Sequence, residues 1–270
     1  MVTLSTEESL QPLALADREG NDDGGASQGV PSWTPEGVMI QVRRAADRGR
    51  TEWGWLDSRH TFSFGEYHDL EHMGFRSLRV LNDDRVAPGA GFGTHGHRDM
   101  EILSYVLEGA LEHEDSTGGG SVIRPGEIQY MRAGTGVTHS EFNHSQVEPV
   151  HFLQIWIVPD ARGLSPTYSQ QAFDGAATAR TFVLLASGDG RAGSIQVSQD
   201  VDLWTTRIGV GEKRQFRFRP VRYGWVHVAH GSVAVNGTDL GEGDGAAAIG
   251  EERLDFLGRE AAEVLMFDLA

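Results

Sequence analysis

The chain has 270 residues, enough for one large β domain or two of about 100–150 residues each. It contains no cysteine, which excludes disulfides and thiolate metal sites, so any metal must be held by nitrogen and oxygen ligands. With 23 basic against 39 acidic residues the net charge is −16, which repels phosphate backbones and anionic lipid, and no direct nucleic-acid partner is expected. Residues 1–38, which begin "MVTLSTEESLQPLALADREGNDDGG", are rich in Glu, Asp, Ser, Gly and Gln and show no sustained period. They have too little apolar area to offset the entropy of ordering, so a disordered acidic tail is expected there. No run approaches the ~20 apolar residues of a membrane helix, and the start has neither a basic n-region nor a clean apolar h-region. The expected location is the cytoplasm, away from membranes.

From "VMIQVRRA" onward, short β-branched and aromatic runs alternate with Gly, Asp, Asn and Pro: "SLRVLNDD", "EILSYVLEG", "SVIRPGEIQYM", "HFLQIWIVP". Even spacing of such runs predicts an antiparallel sandwich or barrel, and no long helical period interrupts them. The stretch "VPDARGLSPTYSQQAFDGAATAR" has the Pro, Ser and Gly content of a connector, after which the strand pattern restarts at "TFVLLAS". "YVLEGALEHEDSTGGGSVIRPGEIQYM" and "HVAHGSVAVNGTDLGEGDGAAAI" both read strand, Gly turn, strand, loop, strand, which predicts a duplicated β unit. The chain is therefore expected to be all-β, with two tandem antiparallel barrels over residues 39–163 and 164–270.

In "GFGTHGHRDMEILSYVLEG", His95 and His97 stand at i and i+2, so on a strand they share one face and lie about 6.5–7 Å apart along the backbone. Alone, such a pair also fits a solvated strand end. Further on, "GTGVTHSEFN" repeats the spacing with His139 and Glu141. Two strands lining one cavity would bring three imidazoles and one carboxylate together, a set that suits Fe, Ni, Cu, Mn or Zn.

"GWLDSRHTFSFGEY", "MGFRSLRVLNDDRVAPGAGFGTHGHRDMEILSYVLEGALEHEDS" and "MRAGTGVTHSEFN" closely resemble the pirin family of the cupin superfamily, in particular the bacterial pirin-like proteins described as quercetin 2,3-dioxygenases. The resemblance runs from about residue 40 to the end. It implies a bicupin with jelly-roll-like barrels, in which the N-terminal barrel holds one metal, usually Fe(II), and the C-terminal barrel holds none. The family's ligands fall on His95, His97, His139 and Glu141. The implied activity is opening of the central ring of a flavonol such as quercetin with O2, with Glu141 also serving as general base. The family also implies an alternative, a metal-containing regulator that binds a partner protein in a redox-dependent way, and an acidic surface would favour a basic partner. Two departures are visible: Gly96 stands where the family usually has proline, and the acidic tail is extra.

Glu101 follows His97 by four residues, where many other cupins place their metal carboxylate, and on an unbroken strand its parity matches the histidines. The resemblance favours Glu141, leaving Glu101 as an acceptor that fixes an imidazole tautomer or as a charge on a wet strand. His113 and His151 are unpaired at ligand spacing and read as hydrogen-bonded wall residues. His227 and His230 fall on opposite faces of a strand. "RQFRFRP" reads as an amphipathic strand rather than a nucleic-acid strip, and the Asp pairs at 22–23 and 83–84 read as loop decoration.

Overall fold

A computed structural model describes residues 39–270; the expected tail over 1–38 lies outside the described residues. In the first half the strands are β1 (Met39–Arg43), β2 (Gly49–Trp53), β3 (Leu56–His60), β4 (Leu78–Val86), β5 (Gly91–His97), β6 (Glu101–Glu108), β7 (Leu111–Asp115), β8 (Gly120–Ile123), β9 (Glu127–Arg132), β10 (Val137–Asn143), β11 (Val150–Ile157) and β12 (Thr167–Ala172). The second half has β13 (Val183–Ser187), β14 (Ile195–Gln196), β15 (Val201–Ile208), β16 (Lys213–Arg217), β17 (Tyr223–His230), β18 (Ser232–Val235), β19 (Thr238–Gly241), β20 (Gly245–Ile249), β21 (Arg253–Gly258) and β22 (Ala262–Leu269). Among the described residues the only α-helix is the single turn α1 (Gly175–Thr178), capped by the Asp174 side chain.

These strands form two barrels of the same plan, each a seven-stranded sheet covered by a four-stranded one. The first pairs β12-β9-β6-β11-β4-β3-β2 with β5-β10-β7-β8, and the second pairs β1-β20-β17-β22-β15-β13-β14 with β16-β21-β18-β19. The two segments that echo each other in sequence fold alike. In β6 to β9 and in β17 to β20, the first strand pairs with the fourth and the second with the third.

The two large sheets pack face to face, and their shared core joins Leu103, Leu153 and Ile155 of the first half to Trp225, Leu265 and Phe267 of the second. A strand buried on both faces reads as an unbroken apolar run, and β22 shows why. Its Leu265, Phe267 and Leu269 enter the shared core, while Val264 and Met266 alternate into the second barrel. That barrel is filled by Val, Leu, Phe and Ala side chains. The first is apolar at one end, around Leu56, Val106 and Phe152, and polar at the other.

Chain order and sheet membership differ at β1, which pairs with β20 of the second half; β12 lies beyond the boundary expected at 163/164 yet pairs with β9 of the first barrel. The stretch expected to be a plain connector thus contains a strand, "TYSQQA", whose polar sequence carries no alternating apolar signal. The Asp83–Asp84 pair is not in a loop: both lie in β4 and are buried, Asp83 facing the shared interface and Asp84 the first barrel.

Candidate metal centre

β5 and β10 are neighbours in the four-stranded sheet over the first barrel, with His95 opposite His139 and His97 opposite Val137. Of the two i, i+2 pairs expected to converge, His95, His97 and His139 come together in one group, while Glu141 falls in a second group. The His95, His97 and His139 rings lie 4.5–4.9 Å apart between centroids, and one nitrogen from each falls within 4.8 Å of the others, a spacing one small cation can span. Glu141 groups with His139 and His113 at the same spacing, so His139 is the common corner of both clusters.

The register between β5 and β10 shifts by one residue next to the cluster. His139 faces His95 but Glu141 faces Phe92, so Gly93 and Thr94 together oppose Ser140 in a β-bulge. The bulge turns the Gly93 carbonyl towards His95, which donates to it from Nδ1 at 2.8 Å. A carbonyl can only accept, so the neutral ring keeps its lone pair on Nε2, the tautomer a metal needs.

His139 is prepared in a different way. His113 Nε2 meets Asp115 Oδ2 at 3.1 Å, and His113 Nδ1 meets His139 Nδ1 at 3.4 Å. The carboxylate accepts from His113, whose other nitrogen then accepts from His139, leaving His139 Nε2 with a free lone pair. That atom is buried and has no hydrogen-bond partner. An orphaned buried nitrogen facing two more imidazoles is the feature a metal ligand set requires, and the residues present fit a divalent transition metal. Tyr168 of β12 stacks on His113 with centroids 5.0 Å apart, and the Trp156 ring stands edge-on to His97 at 4.9 Å.

The site's electrostatics favour neutral imidazoles. Burial, then the neighbouring His95, lowers His97 to about 3 and His139 to about 2. Burial pushes the Glu141 carboxyl up to about 7 against two hydrogen bonds that lower it. Those bonds come from Ser104 Oγ at 3.1 Å and Gln154 Nε2 at 2.6 Å, one to each carboxylate oxygen.

Glu101 is elsewhere. Between β5 and β6 the chain turns at Asp99, whose φ is +50°, so parity is not carried from His97 to Glu101. Its side chain lies in the interface between the halves, where Oε1 accepts from Tyr130 at 2.6 Å and from the Ser198 backbone at 2.7 Å. His113 is a hydrogen-bonded wall residue as expected, but the wall it belongs to is that of the cluster itself. His151 pairs with Asp83 at 2.7 Å. His227 is buried in the interface and His230 is exposed, and neither belongs to a metal-type cluster among the described residues.

A family profile described as pirin matches residues 40–157, and one described as quercetinase C-terminal cupin domain matches residues 184–269. A curated quercetin 2,3-dioxygenase of Escherichia coli strain K12 is 46% identical over 231 residues, covering 86% of this chain and 99% of the relative. The chain belongs to the pirin family. A putative quercetin 2,3-dioxygenase of Mycobacterium tuberculosis is 39% identical to this pirin over 86% of the chain and 96% of its own length. The crystal structure of the E. coli bacterial pirin YhhW in complex with nickel(II) superposes on this pirin with a TM-score of 0.81, at 44% identity and covering 86% and 99% of the two chains. No helix of the described residues is long and apolar enough to cross a membrane.

Proposed function

We propose that this pirin is a metal-dependent dioxygenase that opens the central ring of flavonols such as quercetin. Its metal, Fe(II) on this reading, is held by His95, His97, His139 and Glu141. The observation that carries it is the group of three imidazoles, His95, His97 and His139, with Nε2 left free on His95 and His139, beside a carboxylate held at both oxygens. The names of the similar proteins supply the substrate class and the use of O2. A related bacterial pirin is in complex with nickel(II), and among N/O-bound metals affinity order and supply decide the ion more than ligand type does.

When bound, a divalent transition metal supplies a Lewis acid that lowers the pKa of the flavonol 3-hydroxyl and makes the ring electron-rich towards O2. The protein's own residues do the rest. Glu141 accepts the 3-hydroxyl proton on one carboxylate oxygen, and Ser104 and Gln154 hold that carboxylate in place before and after the transfer. The Trp156 indole and the Phe64 ring, T-shaped at 5.4 Å, give an apolar wall beside His97 that excludes water from the reacting ring.

The test is loss of quercetin absorbance under air with an oxygen electrode alongside, and metal-stripped protein as control. Glu141→Gln is expected to keep much of the metal and lose about 10²-fold or more in turnover, whereas His97→Ala loses metal and turnover together. If iron-, copper- and nickel-loaded proteins all leave flavonols unchanged, the enzymatic reading fails and the regulatory one replaces it.

A further inference from the structure

The floor of the metal-bearing barrel carries a row of polar side chains that runs straight across six strands. Strand register sets Gln170 of β12 opposite Gln129 of β9, Gln129 opposite Ser104 of β6, Ser104 opposite Gln154 of β11, Gln154 opposite Asn82 of β4, and Asn82 opposite His60 of β3. Residues opposite one another in a sheet project to the same side, so the row faces the barrel interior together with Ser104, whose hydroxyl holds Glu141.

Five members of the row have side-chain partners. Gln170 donates to the Val122 carbonyl and to Glu127, each at 3.2 Å, and accepts from Tyr168. Ser104 and Gln154 bond each other and Glu141. Asn82 Oδ1 meets His60 Nδ1 at 2.9 Å, and His60 Nε2 meets Thr51 Oγ1 at 2.9 Å. Gln129 is the exception: it is 1% exposed, and neither its amide nitrogen nor its amide oxygen has a partner. A buried amide left open at both ends costs stability, and in native proteins such groups persist where a ligand or ordered water completes them. Gln129 sits next to the residue that anchors the proposed base.

We propose that Gln129 sets substrate specificity by taking a phenolic hydroxyl of the bound flavonol, away from the reacting 3-hydroxyl. The amide offers one acceptor and two donor hydrogens, so it can accept from that hydroxyl and donate back to it or to a neighbouring ring oxygen. A site built to hydrogen-bond a substrate hydroxyl discriminates against analogues without it, because its own polar group is then left unpaired. A site holding this amide thus selects polyhydroxylated over unsubstituted flavonols. This inference rests on the flavonol reading above.

The experiment compares wild type with Gln129→Met, both metal-loaded, on quercetin and on 3-hydroxyflavone, which keeps the reacting hydroxyl and lacks the others. Two quantities are read: kcat/KM, and the Kd from quenching of tryptophan fluorescence under argon. Wild type is expected to prefer quercetin, and the variant to lose about ten- to hundredfold on quercetin and little on 3-hydroxyflavone, so that the preference collapses. Without flavonol the variant should melt at the same temperature as wild type or higher, because an unpaired buried amide is removed; a structural amide would give the opposite shift. An unchanged ratio between the two substrates, or a lower melting temperature with both substrates affected alike, overturns the proposal. Wild type that binds flavonols without turning them over sinks the dioxygenase reading alone, and the ratio of Kd values then decides on Gln129. If wild type binds neither compound, both fail.

Discussion

The Asp115 carboxylate makes no hydrogen bond to a ligand of the proposed metal, yet it is the far end of the chain through His113 that leaves His139 Nε2 unprotonated. Outer partners of this kind hold ring and tautomer, and their loss typically costs 10–100-fold in metal affinity. Asp115→Asn should therefore weaken metal binding by about that factor in a chelator-competition titration; unchanged affinity would remove Asp115 from the site. His227 makes a second prediction. Burial, then the positive Arg48 nearby, lowers its pKa to about 3. The ring stays neutral in the fold but takes a proton in the unfolded chain below its ordinary value of about 6.5. Stability is thus complete above about pH 6.5 and declines as pH falls towards the folded value, by about 1.4 kcal/mol per pH unit from this residue. Urea midpoints of wild type should drop more steeply than those of His227→Leu between about pH 6.5 and pH 4.5; parallel curves would contradict it. At this scale the imidazole pairs were legible because a period of two is a local property. Asp83 was not: its partners Arg48 and His151 stand 35 and 68 residues away in sequence, and only the fold shows that this carboxylate amid β4 is buried and compensated.

The approach of β5 to β10 is as close as a glycine allows. A Cβ on Gly91 would sit 2.3 Å from the Glu141 carbonyl oxygen and 2.5 Å from the Phe142 Cα, both backbone atoms that cannot swing aside. Gly91→Ala should push the two strands apart beside Glu141, costing about 1–3 kcal/mol and lowering metal content. Gly93→Ala, where a Cβ meets nothing within 4 Å, is the matched control. Equal effects of the two substitutions on melting temperature and metal content would show that the close approach is unimportant. Strand pattern was readable where a strand is apolar, on one face or, as in β22, on both. β12 was hidden because its residues are half-exposed and polar, and what holds it is pairing with β9. The parity argument for Glu101 failed at a single left-handed residue, Asp99, which periodicity along a sequence cannot reveal.

At the scale of the whole molecule, the largest core belongs to neither barrel but to the contact between them. Inter-domain contacts that are polar and small permit independent motion, whereas a large apolar one does not. The described chain should therefore unfold in one transition, with calorimetric and van't Hoff enthalpies in agreement; two resolved transitions would mean that the barrels stand alone. The second barrel is itself filled by apolar side chains, so its large sheet packs apolar side chains on both faces. The pairing of β1 with β20 has a further consequence, in time rather than in space. Met39 lies opposite Ile249, a partner synthesised roughly 200 residues later, which at about 5–20 residues per second leaves β1 an open edge for about 10–40 s on the ribosome. From the synthesis of β11 to the end of that interval the metal-bearing half is exposed on the face that will become the shared core, so the nascent chain is most prone to aggregate while its ligand set is already complete and its last strands are still being made.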